Sequence, residues 1–86
     1  MRILFHSNFI KKYAKLSRSV QFQTDQRIVL FEENSLNPTL HTHKLKEIWK
    51  NHRSINITGD LRAIYKLLTT DTIQCVEIDT HSNLYS

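Results

Sequence analysis

Glycine, proline, cysteine and methionine each occur once in the 86 residues, so the chain carries little of the usual structural punctuation. A lone cysteine excludes an internal disulfide. Cys75 falls in an alternating apolar segment, where a thiol packs as a small inert hydrophobe. No stretch approaches the roughly 20 apolar residues needed to span a bilayer. Met1–Phe5 is too short an apolar run, before His6, Ser7 and Asn8, to read as a secretory leader. The expectation is a soluble protein of the reducing cytoplasm with no membrane partner. A chain this short is expected to form one domain, residues 1–86, with a thin core, since such chains hide only about 60% of their unfolded surface. Its site should be a shallow groove, suited to a polymer more than to a small metabolite.

Twelve lysines and arginines face eight acids, for a net charge of +4. All of the former lie within residues 1–66, and residues 67–86 carry only Asp71, Glu77 and Asp79. A basic domain attracts polyanions through counterion release. Many small basic domains nevertheless have no nucleic-acid role, so charge tilts the reading and does not decide it.

The single proline and glycine mark the boundaries. Pro38 follows Asn34-Ser35-Leu36-Asn37, a helix-stopping cluster. Before it, Phe9, Ile10, Tyr13 and Leu16 form a helical stripe with Lys11, Lys12 and Lys15 opposite, and Ser7 or Asn8 is placed to cap its start. A second helix is expected over about 20–34. Its Ile28-Val29-Leu30-Phe31 run also fits a buried strand, and hints at apolar surface for a partner. After Pro38 the period becomes two. Ile55 and Ile57 alternate with polar residues, as do Leu61, Ala63, Tyr65 and Leu67 with Arg62, Ile64 and Lys66, and Val76 and Ile78 with Cys75, Glu77 and Asp79. Thr58-Gly59-Asp60 is hairpin chemistry, with the glycine available for a positive φ. With Arg2–Phe5 as a further strand, the order is β-α-α-β-β-β. This is an α+β fold, a small antiparallel sheet with a helical hairpin on one face.

Five histidines are available for proton transfer near neutral pH. His41 and His43 flank Thr42, His52 precedes Arg53, and His81 lies near the C-terminus. A metal reading would join His41, His43 and Asp79 or His81, but H-x-H without a second pair is a weak signal, and no metal or other cofactor is expected. Cleavage of RNA beside its own 2′-hydroxyl needs a base, an acid and cations around the phosphorane, and no metal. Arg53, Arg62, Lys44, Lys46 and Lys50 supply cations near the histidines in sequence. Composition alone reads these as a solvated basic face.

The run from His43 through Leu45, Trp49 and Arg53 to Gly59-Asp60-Leu61-Arg62-Ala63-Ile64-Tyr65, closed by Thr80-His81-Ser82-Asn83-Leu84-Tyr85, resembles the YafQ-like branch of the RelE/ParE toxins. Their pattern is H-x-L-x(3)-W-x(3)-R, a G-D-x-R-x-I-Y hairpin and a closing T-H-x-x-L-[FY]. The resemblance covers residues 43–85 and implies a RelE-like fold and the toxin of a type II toxin–antitoxin pair. Such a toxin is an mRNA interferase that cuts messenger RNA in the ribosomal A site and is inhibited by its cognate antitoxin. It also implies His81 as general acid, His43 or Asp60 as base, and Tyr85 as the aromatic that positions substrate. Lys44, Lys46, Lys50, Arg53 and Arg62 are its expected substrate-binding cations. Each has a plainer reading: Asp60 favouring a turn, His81 capping a terminal helix, Tyr85 closing the core, and Leu45, Trp49 and Tyr65 packing.

The chain departs from that pattern in three places. Asn56 stands where a second histidine can occur, Ser54 where an acid can, and Glu77 where an arginine is usual. A carboxylate facing a phosphate would repel it by about 1 kcal/mol in partly screened solvent. Glu77 is therefore expected to pair with Arg62 or to orient a histidine. Two rival functions use the same scaffold: a non-catalytic ParE-like toxin acting on DNA gyrase, which has no need of the histidine set, and an inactive relative that only binds an antitoxin.

Overall fold

Helix 1 (α1, Ser7–Ala14) and helix 2 (α2, Arg18–Glu33) follow a first strand (β1, Arg2–Phe5) in a computed structural model that describes residues 1–85. The cap of α1 is His6, one residue earlier than expected, its Nδ1 accepting from the Asn8 N–H at 3.0 Å. Phe9 is buried, but its neighbour Ile10 is 55% exposed, because a step of one residue turns about 100° around a helix. Ser17 caps α2 through its hydroxyl. Val20, Thr24, Ile28 and Phe31 then recur every three or four residues toward the core. The Ile28–Phe31 run is helical, so its four side chains fan outward, Phe31 buried and Val29 half exposed. The Tyr13 hydroxyl donates to Asp25 at 2.6 Å and joins the two helices.

The remaining strands are β2 (His43–Lys44), β3 (His52–Asn56), β4 (Leu61–Thr69) and β5 (Thr72–Thr80), followed by a short helix, α3 (His81–Tyr85). Sheet order is β1-β5-β4-β3-β2. The expected meander is present, with the two-residue β2 added at one edge. The sheet is mixed, not wholly antiparallel: β1 lies parallel to β5, a pairing open to two strands with this much chain between them. The main core lies on one face of the sheet. Phe9, Phe31, Leu40, Ile55, Ile57, Leu61, Ala63, Tyr65, Ile73, Cys75 and Ile78 form one buried cluster between helices and sheet. Burial pushes the Cys75 thiol up to about 12, so it stays protonated and unreactive.

Two local irregularities shape the face of the sheet away from the helices. Ile64 pairs with Glu77 but Tyr65 pairs with Cys75, so Val76 is an extra residue, a β-bulge. Strict alternation would group Val76 with Ile78. The bulge instead sends Cys75 and Ile78 into the core and turns Glu77 and Asp79 to the opposite face. At the Thr58–Asp60 turn, Gly59 does not adopt a positive φ. The turn is held by the Thr58 hydroxyl, which accepts from the Leu61 N–H at 3.0 Å, and by Arg62, which donates to the carbonyls of Thr58 and Gly59.

Because a Cβ at Gly59 meets nothing within 4 Å, Gly59→Ala should leave the unfolding free energy from urea titration unchanged or raise it by up to about 1 kcal/mol. Thr58→Val removes an acceptor from the turn and should cost about 1 kcal/mol in the same measurement.

Candidate functional site

Side chains alternate across a strand, so registered partners share a face. The row His43–Ser54–Ile64–Glu77 lies on the face away from the core cluster, as do the rows Asn56–Arg62–Asp79 and His52–Lys66–Gln74. Helix α3 folds over the same side: the Trp49 indole N–H donates to the Leu84 carbonyl at 3.2 Å, and Trp49 lines a groove with His52, Lys66 and Glu77. Leu84 and Ile64 are buried but stand outside the main core cluster.

His43 is fixed through both ring nitrogens. Nδ1 is 2.9 Å from the His41 carbonyl oxygen, and Nε2 is 3.2 Å from the Ser54 hydroxyl. A carbonyl only accepts, so Nδ1 carries the proton and the neutral ring presents its lone pair at Nε2 to the Ser54 hydroxyl. A protonated ring would donate from Nε2 to the same oxygen, so the fully buried Ser54 can partner either state. His81 opens α3. Its backbone N–H donates to the Asp60 carbonyl at 2.9 Å, which sets the hairpin tip beside the start of that helix. Its ring meets Tyr85 edge-on with centroids 4.7 Å apart, both side chains exposed. Tyr85 therefore does not close the core.

Glu77 pairs with neither Arg62 nor a histidine. Its carboxylate is held by Lys12 Nζ at 2.8 Å, by the Asn8 amide at 2.8 Å and by the Ile78 N–H at 3.1 Å. Lys12 also reaches Asp79 at 3.0 Å, while the other oxygen of Asp79 accepts from the Asn83 amide at 2.9 Å and the Thr80 N–H at 2.8 Å. Asp79 is thus the joint between α1 and α3. Burial alone would raise its carboxyl, but the Asn83, Lys12 and Thr80 hydrogen bonds outweigh that and hold it below the usual value. The hydrogen bond to Glu77 chiefly raises the Lys12 ammonium, against burial and with help from Asp79. Nothing in the sequence pointed to Lys12. The helical stripe of α1 set it on the solvated side, and its partners lie on β5, far along the chain.

The expected cations divide. Arg62 is on the His43 face but spends its guanidinium on the carbonyls of Thr58, Gly59 and Leu61. Lys44 and Arg53 pair with each other one position out of phase with His43 and Ser54, so they face the helix side. There they line a groove with Lys50, Leu45, Phe31, Tyr65 and others. Lys46 is exposed and immediately precedes a single helical turn, Glu47–Trp49, without capping it through its side chain. Tyr65 is core, and its burial outweighs the nearby Arg53 in pushing the phenol up. Asn56 is half-buried beside Arg62. Among the described residues, no three His, Cys, Asp or Glu side chains gather as metal ligands, so His41, His43, Asp79 and His81 do not form a ligand set.

A depressed carboxyl adds stability above its ordinary value, 3.8, that is lost as pH falls through the folded value. The urea midpoint of Asp79→Asn should therefore fall less between pH 6 and pH 2 than that of the parent chain. At pH 7, Lys12→Met strands the largely buried Glu77 and should lower the midpoint more than Lys15→Met, at an exposed position.

Comparison with known proteins places this architecture. A family model described as the bacterial YafQ toxin of type II toxin–antitoxin systems matches residues 1–86. The crystal structure of YafQ from E. coli strain BL21(DE3) is 24% identical, covers 100% of both chains and superposes with a TM-score of 0.78. YafQ in the E. coli DinJ-YafQ complex is 25% identical over 100% of both chains, with a TM-score of 0.76. A chain of the RelB-RelE antitoxin-toxin complex from Methanococcus jannaschii is 23% identical, covers 95% of this chain and 94% of that one, and has a TM-score of 0.74. No curated protein sequence matches.

Proposed function

Since this chain belongs to the YafQ family of type II toxin–antitoxin toxins, we propose that it is a metal-independent endoribonuclease that cuts messenger RNA in the ribosomal A site. The observation that carries this reading is His43, fixed by two hydrogen bonds on the sheet face over which α3, the helix with the exposed His81, is folded. In this reaction His43 takes the proton of a ribose 2′-hydroxyl on Nε2, with the Ser54 hydroxyl turning from donor to acceptor as the proton arrives. The 2′-oxygen attacks phosphorus, the bond from phosphorus to the 5′-oxygen breaks, and His81 protonates that leaving oxygen. The products are a 2′,3′-cyclic phosphate and a 5′-hydroxyl. Asp60, exposed at the hairpin tip next to α3, is the alternative base. Tyr85, against the His81 ring, orients a base or phosphate.

The partners follow the same reading: messenger RNA on the ribosome, and a cognate antitoxin protein, as E. coli YafQ has been crystallised with DinJ. The setting is the cytoplasm, in keeping with the absence of any helix long and apolar enough to cross a membrane among the described residues. Asn56 favours a second reading, an inactive relative that only binds an antitoxin, because an amide on this face exchanges no proton near neutral pH.

Expression of the chain without an antitoxin should arrest growth, and His43→Ala and His81→Ala should each relieve the arrest. Each should lower cleavage of a translated messenger by about 10² to 10⁴-fold, scored by primer extension. Undiminished toxicity of the double variant would remove the nuclease reading, and a harmless parent chain would favour the antitoxin-binding one.

A further inference from the structure

A second basic surface adjoins the histidine face, built from residues that no sequence motif groups together. An open groove of about 580 Å³ runs between the first turn of α1 and the middle of β4. His6, Ser7, Asn8 and Lys11 form one wall, Trp49, His52 and Lys66 the other, with Val76 and Glu77 between them. Glu77 is the acid of this lining, and its charge is already met by Lys12, its other oxygen by the Asn8 amide. Lys11 and Lys66 are left as the cations of the groove, beside the rings of His6 and His52. Lys66 pairs with His52 two residues along the strands from the Ser54–Ile64 row that carries His43. That is a shift of about 7 Å along the strands and, with Lys66 two strands from His43, about 10 Å across them, a span of about two nucleotides in an extended strand. Trp49, half-buried, sets its ring edge-on to His52 with centroids 5.5 Å apart and is tied to α3, the helix that bears His81.

We propose that this groove is a substrate subsite for the RNA flanking the cleaved linkage, with Lys11 and Lys66 holding its phosphates and Trp49 meeting a neighbouring base. The inference rests on the nuclease reading for the identity of its ligand. The groove joins the site to cations on its own side of the sheet, whereas Lys44, Lys50 and Arg53 line a groove on the helix side. Stacking on an aromatic and pairing with fixed cations are the two devices by which single strands are held without reading their sequence.

The test is binding of a 2′-O-methyl oligoribonucleotide, which cannot be cut, followed by anisotropy across a salt series. Trp49 is the chain's one tryptophan, so its emission reports occupancy of the groove directly. The double variant Lys11→Ala/Lys66→Ala should weaken binding at least tenfold at low salt and reduce the slope of log K against log salt by about 1.4, two phosphates at about 0.7 each. It should also lose the quenching of Trp49 that the oligonucleotide causes in the parent chain. Lys44→Ala/Lys50→Ala should leave slope and quenching nearly unchanged, with thermal melting confirming that both variants fold. Equal losses in the two variants, an unchanged slope in the first, binding without quenching, or no binding by the parent chain would each overturn the proposal. If the parent binds in this way yet cleaves no translated messenger, the subsite stands and the nuclease reading falls.

Discussion

The bulge at Val76 is the constraint on which the arrangement of the site depends. Strand β5 has to serve two surfaces, with Ile73, Cys75 and Ile78 under the helices and Glu77 and Asp79 on the open face. Strict period-two alternation cannot place Cys75 and Ile78 on one side, because they are three residues apart. One unpaired residue resets the parity and lets both meet the core. The same reset lines Glu77 up with Ile64, Ser54 and His43, and Asp79 with Arg62 and Asn56.

Two carboxylates turned to one face would repel each other and any phosphate nearby. Lys12 answers both at once from α1, and Asn8 and Asn83 satisfy the remaining oxygens. The result is more than neutralisation. Asp79 grips α1 through one oxygen and α3 through the other, so the helix carrying His81 and Tyr85 is referenced to the body of the protein through a short, charge-assisted chain of contacts. An arginine at the position of Glu77 would offer a cation to a phosphate directly. Here the cations of that region come from elsewhere, Lys12 against the two carboxylates and Lys11 and Lys66 around the groove.

The division of positive charge has a physical consequence. Net charge is a property of composition, but the field a ligand meets depends on which side of a sheet each cation stands. His43 and Lys44 are adjacent in the chain and face opposite ways, as do Ser54 and Arg53. The basic residues next to His43 and Ser54 in sequence therefore stand on the other side of the sheet from them.

The helices, the three-stranded meander and the family pattern in residues 43–85 were legible in the chain alone, because periodicity, capping residues and ordered motifs are local and survive without coordinates. The sequence also put His43, Asp60 and His81 forward as a set. Four features became visible only in three dimensions: the parallel pairing of β1 with β5, the bulge, the turn at Gly59 and the partnership of Lys12 with Glu77 and Asp79. The first and last join residues from opposite ends of the chain. The bulge is a shift in pairing, which becomes visible only against the neighbouring strand. The turn holds through the Thr58 hydroxyl and the Arg62 guanidinium, so its glycine is not asked for the freedom that its identity advertised.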